Sequence, residues 1–365
     1  MEKIAVIYGG KSVEHDISII TALQTIRNLS KEYKCIPIYI DGNGNWWTGK
    51  NLRNPSIYAD FDKNVKRKEQ VLIDFNNNGL ILGKKKIKVK MCFICSHGLN
   101  GEDGTISGVM ELADIPYSCS GVLSSALSMD KITTKILLEK NGVETVEYVY
   151  FDEDEFLNNR DEIYFYVENL GYPVIIKPAN LGSSVGISVA SSSSEFDEKV
   201  EIGLNFDKKI LVEKFLAGAR EFNCACFIYG GEFYPSKVVE VSKGEIFSFE
   251  EKYITGTTPP SGGLSEEIVR QVQEKTKEVY RICECFGIVR VDYLYKDGLL
   301  YVNEINNIPG SLASALYPDN YGEVLDLVIE ESLNRKKKKE EIKYSFASDA
   351  LKVFEKLTLS AKMKK

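Results

Sequence analysis

The sequence predicts an α/β protein of two or three domains, and three observations carry that expectation. The chain has 365 residues, too many for one ordinary core. Its first third alternates strand-like and helix-like segments, the order that builds an open, mostly parallel sheet. Apolar residues make up 44% and charged residues 27% of it, a globular balance.

Residues 4–8 read as a strand that ends in Gly9-Gly10, residues 17–29 have helical spacing, and residues 35–40 form the next strand. Asp41-Gly42-Asn43-Gly44 is a turn ahead of Trp46-Trp47. Residues 89–95 are a strand, followed by Gly101-Glu102-Asp103-Gly104 and a helix over 105–113. Ligands in such sheets collect beyond the carboxyl ends of strands, where Gly9-Gly10 and His97-Gly98 fall. The middle third reads as a helix over 123–140, strands at 147–151 and 173–177, a small-residue loop from Asn180 to Gly186, and a strand at 187–190. The four serines at 191–194 are a turn and N-cap, since Glu195 and Glu198 follow in a first-turn pattern. The last third has strands at 210–215, 221–228 and 232–241, a loop over 244–263, and a helix over 266–286. Strands at 289–295 and 300–304 follow, joined by Lys296-Asp297-Gly298. From about 343 onward the pattern is an amphipathic terminal helix with a frayed end. No internal repeat is legible.

Composition excludes several functions. The net charge of −7 and the absence of an extended basic stripe argue against nucleic-acid binding. Lys336-Lys337-Lys338-Lys339 runs straight into Glu340-Glu341 and reads as a solvated helix end. No apolar run reaches the roughly 18 residues of a membrane span. The N-terminus enters a strand without a signal-peptide pattern, so the expected location is the cytoplasm and no membrane partner is expected. Cys92 and Cys95 form a Cys-x-x-Cys, but in a strand positions three apart face opposite sides and no second pair exists. The eight cysteines therefore read as reduced and mostly buried, which fits a reducing compartment.

The chemistry concentrates near the end. Arg290 and Asp292 share one face of a strand; Glu304 and Asn306 share one face of the next, with Val291 and Ile305 turned to a core. Two carboxylates and an amide oxygen suit Mg²⁺ that also holds substrate phosphates. The same residues would also serve as a surface salt bridge. Lys177 ends a strand before Pro178 and the loop Gly182-Ser183-Ser184-Val185-Gly186, whose backbone N–H groups can cradle a phosphate. Lys131, in Ser128-Met129-Asp130-Lys131, is by itself an ordinary helix lysine. Glu213-Lys214-Phe215-Leu216, with Glu221 beyond, suits either a nucleotide edge or a strand with surface charges. With only His15 and His97 present, histidine-ligated zinc is not expected.

Six motifs in order resemble the D-alanine–D-alanine ligases, ATP-grasp enzymes. They are Gly9-Gly10-Lys11-Ser12-Val13-Glu14-His15-Asp16-Ile17-Ser18; His97-Gly98 with Gly101-Glu102-Asp103-Gly104-Thr105; and Pro116-Tyr117 through Ser120-Gly121-Val122 to Asp130-Lys131. Lys177-Pro178 with its glycine loop, Glu250-Glu251-Lys252-Tyr253, and Arg290-Val291-Asp292 through Gly310 complete the set. The resemblance spans roughly residues 3–335. It implies a Rossmann-like N-terminal domain (1–121) carrying the first amino-acid site, and a central ATP-grasp lobe (122–212). A C-terminal lobe (213–340) would hold metal, oxyanion site and lid, and a helical tail (341–365) would follow. It also implies roles. Lys131, Lys177 and Lys252 would face ATP phosphates; Glu213, Lys214, Leu216 and Glu221 would hold adenine and ribose; Asp292, Glu304 and Asn306 would bind two Mg²⁺ or Mn²⁺ ions. Glu14 would meet the ammonium of D-alanine, linked to Ser183 and Tyr253, while Arg290 and the Gly310 N–H would stabilise an oxyanion. The implied product is a dipeptide for peptidoglycan precursors, made in the cytoplasm from D-alanine and ATP by an enzyme that is a homodimer in this family.

Two departures bear on the acceptor. The family usually carries a serine followed by leucine five and six positions after the Pro-Gly glycine; this chain has Ala315-Leu316. The segment after Tyr253 lacks the usual tyrosine ahead of its proline. A related ligase making D-Ala–D-Ser or another dipeptide is the alternative reading.

Overall fold

The computed structural model describes residues 1–61, 69–241, 264–343 and 345–362. Its first sheet is built from β1 (Lys3–Gly9), β2 (Lys34–Ile40) and β3 (Trp46–Thr48) together with a later strand. Helix α1 (His15–Asn28) connects β1 to β2. A three-stranded antiparallel meander follows: β4 (Val71–Asp74), β5 (Gly79–Leu82) and β6 (Lys85–Lys88). Then β7 (Met91–Ile94) completes the order β3-β2-β1-β7, in which β2, β1 and β7 are parallel and β3 is antiparallel. Residues 4–8 are apolar on both faces because the strand is central and covered on both sides. The meander is absent from the sequence reading. Its strands are short and charge-rich, with Lys84, Lys85 and Lys86 at one turn, so only one face shows an apolar pattern.

After α2 (Thr105–Leu112), the helix expected over 123–140 is two helices, α3 (Val122–Met129) and α4 (Lys131–Lys140). Asp130 divides them: its backbone is extended and its carboxylate accepts from the Thr133 N–H, an N-cap that restarts the helix. The cap aims Lys131 into the interior. A second sheet, fully antiparallel in the order β10-β9-β11-β8, contains β8 (Tyr148–Asp152), β9 (Val174–Pro178), β10 (Ser188–Ala190) and β11 (Lys209–Lys214). It is covered by α5 (Glu153–Asn158), α6 (Arg160–Leu170) and α7 (Ser193–Leu204). The capping box between Asp152 and Glu155 opens α5, a signal the sequence reading passed over.

The third sheet joins β12 (Arg220–Tyr229), β13 (Glu232–Pro235), β14 (Val239–Val241), β15 (Val289–Lys296) and β16 (Leu299–Asn306), all antiparallel. One strand was expected over 232–241. It breaks because the Ser236 hydroxyl takes the Ala225 N–H and donates to the Lys237 carbonyl. Helix α8 (Glu266–Ile282), capped by Ser265, packs on this sheet. After β16 a tight turn, Gly310–Leu316, leads to α9 (Tyr321–Glu340), and the chain ends in α10 (Ala350–Lys362). Val324, Leu325, Val328 and Ile329 of α9 belong to the same buried cluster as β1 and β7. The closing segment is therefore anchored on the first sheet. All eight cysteines are free; burial pushes the Cys92 and Cys95 thiols up to about 12, away from any thiolate chemistry.

Candidate active site

The antiparallel pair β15–β16 builds the centre of the site. Its register sets Asp292 opposite Glu304 and Arg290 opposite Asn306, so all four side chains share one face. Arg290 grips Asp292 with two bonds, Nε to Oδ1 at 2.6 Å and Nη2 to Oδ2 at 2.8 Å, and Asn306 donates to the same carboxylate at 3.1 Å. Past Asp292 the register slips: Tyr293 pairs with Val302, leaving Asn303 as the extra residue of a bulge. The amide oxygen of Asn303 accepts from Lys177 Nζ at 3.0 Å, so the bulge adds a site contact that regular alternation would have turned away. The sequence carries no signal for it.

Lys177, on β9, is buried and also pairs with Glu213 on β11. Glu213 meets a second lysine, Lys135 of α4, at 2.6 Å. Burial alone would raise the Glu213 carboxyl; Lys135 and Lys177 outweigh it and hold the group down at about 2. Burial lowers Lys135, with Glu213 opposing. Lys135 lies one turn beyond Lys131 on the same helix and is not singled out by the sequence reading. Lys131 donates to the Leu181 carbonyl at 2.6 Å and lies 3.6 Å from Glu304. It thereby ties the glycine loop to the carboxylate pair. Ser183 and Ser184 in that loop both take left-handed backbone, φ 54° and 58°.

Glu14, at the head of α1, is buried, and the Ser183 hydroxyl donates to it across the chain. Two glycines make room for it. A Cβ at Gly98, whose φ is +67°, would lie 2.8 Å from Glu14 Oε2, and one at Gly182 would lie 3.0 Å from it. Burial, and then the Glu14 charge, push the Glu102 carboxyl up to about 8 while it accepts the Gly98 N–H. His97 shares a 2.8 Å hydrogen bond with Thr21, whose hydroxyl also takes the Ser311 N–H at 2.9 Å. Burial first, then the Arg290 charge, push the His97 ring down to about 3, so it is neutral near pH 7. Gly310 opens the turn after β16, where Ser311, Leu312 and Ala313 are all left-handed.

The arrangement thus brings together Glu14 with Ser183, Lys131 with Glu304, and Lys177 with both Glu213 and Asn303 of β16. Lys214 closes β11 and pairs with Glu147 at 3.4 Å, Leu216 lies in the following turn, and Glu221 is exposed on β12. Lys252, Tyr253 and the proposed lid over 244–263 fall outside the described residues. Among the described residues no three His, Cys, Asp or Glu side chains are grouped to hold a metal. Asp292, Glu304 and Asn306 place hard oxygen donors on one face, the donor type that Mg²⁺ takes when substrate phosphates complete its shell.

Fold and motif order define an ATP-grasp enzyme, one that uses ATP to join a carboxylate to an amine. Two family models match the chain, the D-ala D-ala ligase N-terminus over residues 3–120 and the D-ala D-ala ligase C-terminus over residues 137–324. The chain belongs to the D-alanine–D-alanine ligase family. It is 40% identical to a D-alanine–D-alanine ligase of Thermosipho melanesiensis, over 93% of this chain and 96% of that protein. Solved structures with the same fold include the D-alanine–D-alanine ligase of Coxiella burnetii, with a TM-score of 0.80, 25% identity and 99% of each chain covered. The VanG D-Ala:D-Ser ligase of Enterococcus faecalis superposes with a TM-score of 0.78 at 30% identity, over 91% of this chain and 99% of that one.

Proposed function

We propose that this chain condenses two D-alanine molecules, with conversion of ATP to ADP and phosphate, to supply the dipeptide of peptidoglycan precursors in the cytoplasm. The observation that carries the reading is the face shared by Arg290, Asp292, Glu304 and Asn306, with Lys131 against Glu304 and the Glu14–Ser183 pair joining the first sheet to the glycine loop.

The first D-alanine is held by its ammonium at Glu14, with Ser183 and Tyr253 fixing that carboxylate. Its carboxylate oxygen attacks the γ-phosphorus of ATP, ADP leaves, and a D-alanyl phosphate forms. Lys131, Lys177 and Lys252 bind and orient the phosphates; Glu213, Lys214, Leu216 and Glu221 hold adenine and ribose. Asp292, Glu304 and Asn306 hold Mg²⁺ or Mn²⁺, two ions in this reading, which supply charge neutralisation for phosphoryl transfer. The ammonium of the second D-alanine gives one proton to bulk water on binding; its free amine then attacks the acyl carbon, and the second proton leaves with phosphate. Arg290 and the Gly310 N–H donate to the oxyanion, and collapse expels phosphate and leaves the amide. The division 1–121, 122–212, 213–340 and 341–365, a homodimer, and a water-excluding lid over 244–263 are parts of the same reading.

Ala315 leaves the acceptor open, because the family's usual hydroxyl for the acceptor carboxylate is missing from that position, and D-Ala–D-Ser or another dipeptide is the second reading. One experiment separates the two: a screen of amino-acid pairs with ATP, reading phosphate release and product mass. D-Ala–D-Ala as the dominant product supports the main reading. Faster turnover of D-alanine with D-serine replaces it, and release of no phosphate with any pair overturns both.

A further inference from the structure

The charge of this chain is segregated. Residues 335–365 hold eleven Lys or Arg and four Asp or Glu, a net +7, so the rest carries −14 within a total of −7. The same stretch ends in α10, where Ala350, Leu351, Val353, Phe354 and Leu357 fall on one side by helical spacing and Lys352, Glu355 and Lys356 on the other. None of these apolar residues belongs to a buried cluster: Leu351 is 82% and Phe354 69% exposed, and Phe346 just before the helix is 90% exposed. The basic end of α9 adds to it. Lys336 and Lys339 are engaged with Asp114 and Glu111, whereas Lys337 and Lys338 are exposed and in no ion pair among the described residues. Both family models end before this region, the later one at residue 324.

We infer that the C-terminal helix Ala350–Lys362 is an in-plane membrane anchor that seats its apolar side in the surface of an anionic phospholipid bilayer. An exposed apolar stripe flanked by lysines matches a surface that is apolar inside and negative at its rim, and an anionic bilayer offers both at once. A second copy of the helix would cover the apolar stripe but bring lysine against lysine. No described helix is long and apolar enough to cross a membrane; a helix lying in the interface needs no such length. The inference modifies the expectation of no membrane partner and is independent of the ligase reading, since none of the site residues named above lies on this helix.

The test is co-sedimentation of the full chain with vesicles of phosphatidylcholine alone or of phosphatidylcholine and phosphatidylglycerol in equal parts, with ligase activity assayed alongside. The chain should pellet with the anionic vesicles, remain in solution with the neutral ones, and detach as salt is raised. The double substitution Leu351→Glu/Phe354→Glu should weaken binding about tenfold or more, and so should Lys352→Glu/Lys356→Glu; neither should change turnover in solution. Absence from the anionic pellet at low salt, equal binding to both vesicles, or undiminished binding of either variant overturns the proposal. Loss of a dimer in Leu351→Glu/Phe354→Glu by sedimentation velocity, without vesicle binding by the parent, would assign the stripe to a second copy instead.

Discussion

Glu304 faces Asp292 across two strands and lies 3.6 Å from Lys131; in the proposed reading it would also hold the metal ion. Glu304→Gln keeps the shape and removes that charge. Substitutions behind metal ligands already cost about 10–100-fold, so this one should lower kcat by at least about 100-fold with an unchanged far-UV spectrum; near-native turnover at millimolar Mg²⁺ would remove Glu304 from the site. His97 makes a different point at the same scale. Its ring is held at about 3 against an ordinary 6.5, so between those values the unfolded chain binds a proton that the folded chain refuses. Stability from this group is therefore complete above about pH 6.5 and is lost as pH falls toward about 3. His97→Gln should flatten the melting temperature between about pH 6.5 and about pH 4 relative to the parent, whatever it costs at neutral pH. Parallel curves would mean that the ring is already protonated in the fold.

Among the elements, the site depends on three segments closing on one carboxylate. The head of α1 presents Glu14, while the loop after β7 and the glycine loop after β9 approach it with no side chain at Gly98 or Gly182. Gly98→Ala would force a Cβ to within 2.8 Å of Glu14 Oε2 and 2.3 Å of Ser12 Oγ, on a backbone at φ +67°. Glu14 must then shift. The expected result is a KM for the first D-alanine about tenfold or more higher, the loss of one bond to a charged group, with ATP affinity within about twofold of the parent. Equal damage to both substrates would place Glu14 in a shared structural role. The bulge at Asn303 acts by the same logic on the other side: one extra residue in β16 gives Lys177 an amide partner while Glu304 keeps its place opposite Asp292.

Across the whole molecule, the proposed reading assigns the two substrates to different sheets. Lys177 belongs to the second sheet and Glu14 to the loop above the first, and the strand pair of the third lies between them in function. Lys177→Met should therefore weaken ATP binding or phosphoryl transfer strongly, because Glu213 keeps Lys135 as its partner but the phosphates lose one of the three lysines proposed to orient them. Glu14→Gln should raise the D-alanine KM and leave nucleotide affinity nearly intact. Nucleotide titrations and amino-acid saturation curves on both variants read the division directly; a Glu14→Gln enzyme that lost ATP binding and kept normal D-alanine saturation would abolish it. The anchoring of α9 in the core of β1 and β7, which also takes in Ala225, Phe227 and Ile288, explains how this helix holds the first and third sheets as one framework.

The sequence by itself determined what depends on local repeat. Strand period placed Arg290 with Asp292 and Glu304 with Asn306 on common faces, and the alternation of apolar runs and helical spacing marked most of the strands and helices. Family membership was legible because six motifs in fixed order are far rarer than any one of them. What only the tertiary structure decided depends on residues far apart in the chain. Nothing local says that Lys135 is buried, since a lysine on a helix is ordinarily solvated; it goes inside because Glu213, on another element, stabilises its charge there. Nothing local marks Asn303 as a bulge, because the slip is a property of two strands and not of one. Asp130 stopped a helix that spacing would have continued, since the backbone between α3 and α4 is held by the Ala179 carbonyl as well as by its own cap. Periodicity reports which way a side chain points, whereas the partner waiting there is fixed only when the chain has packed.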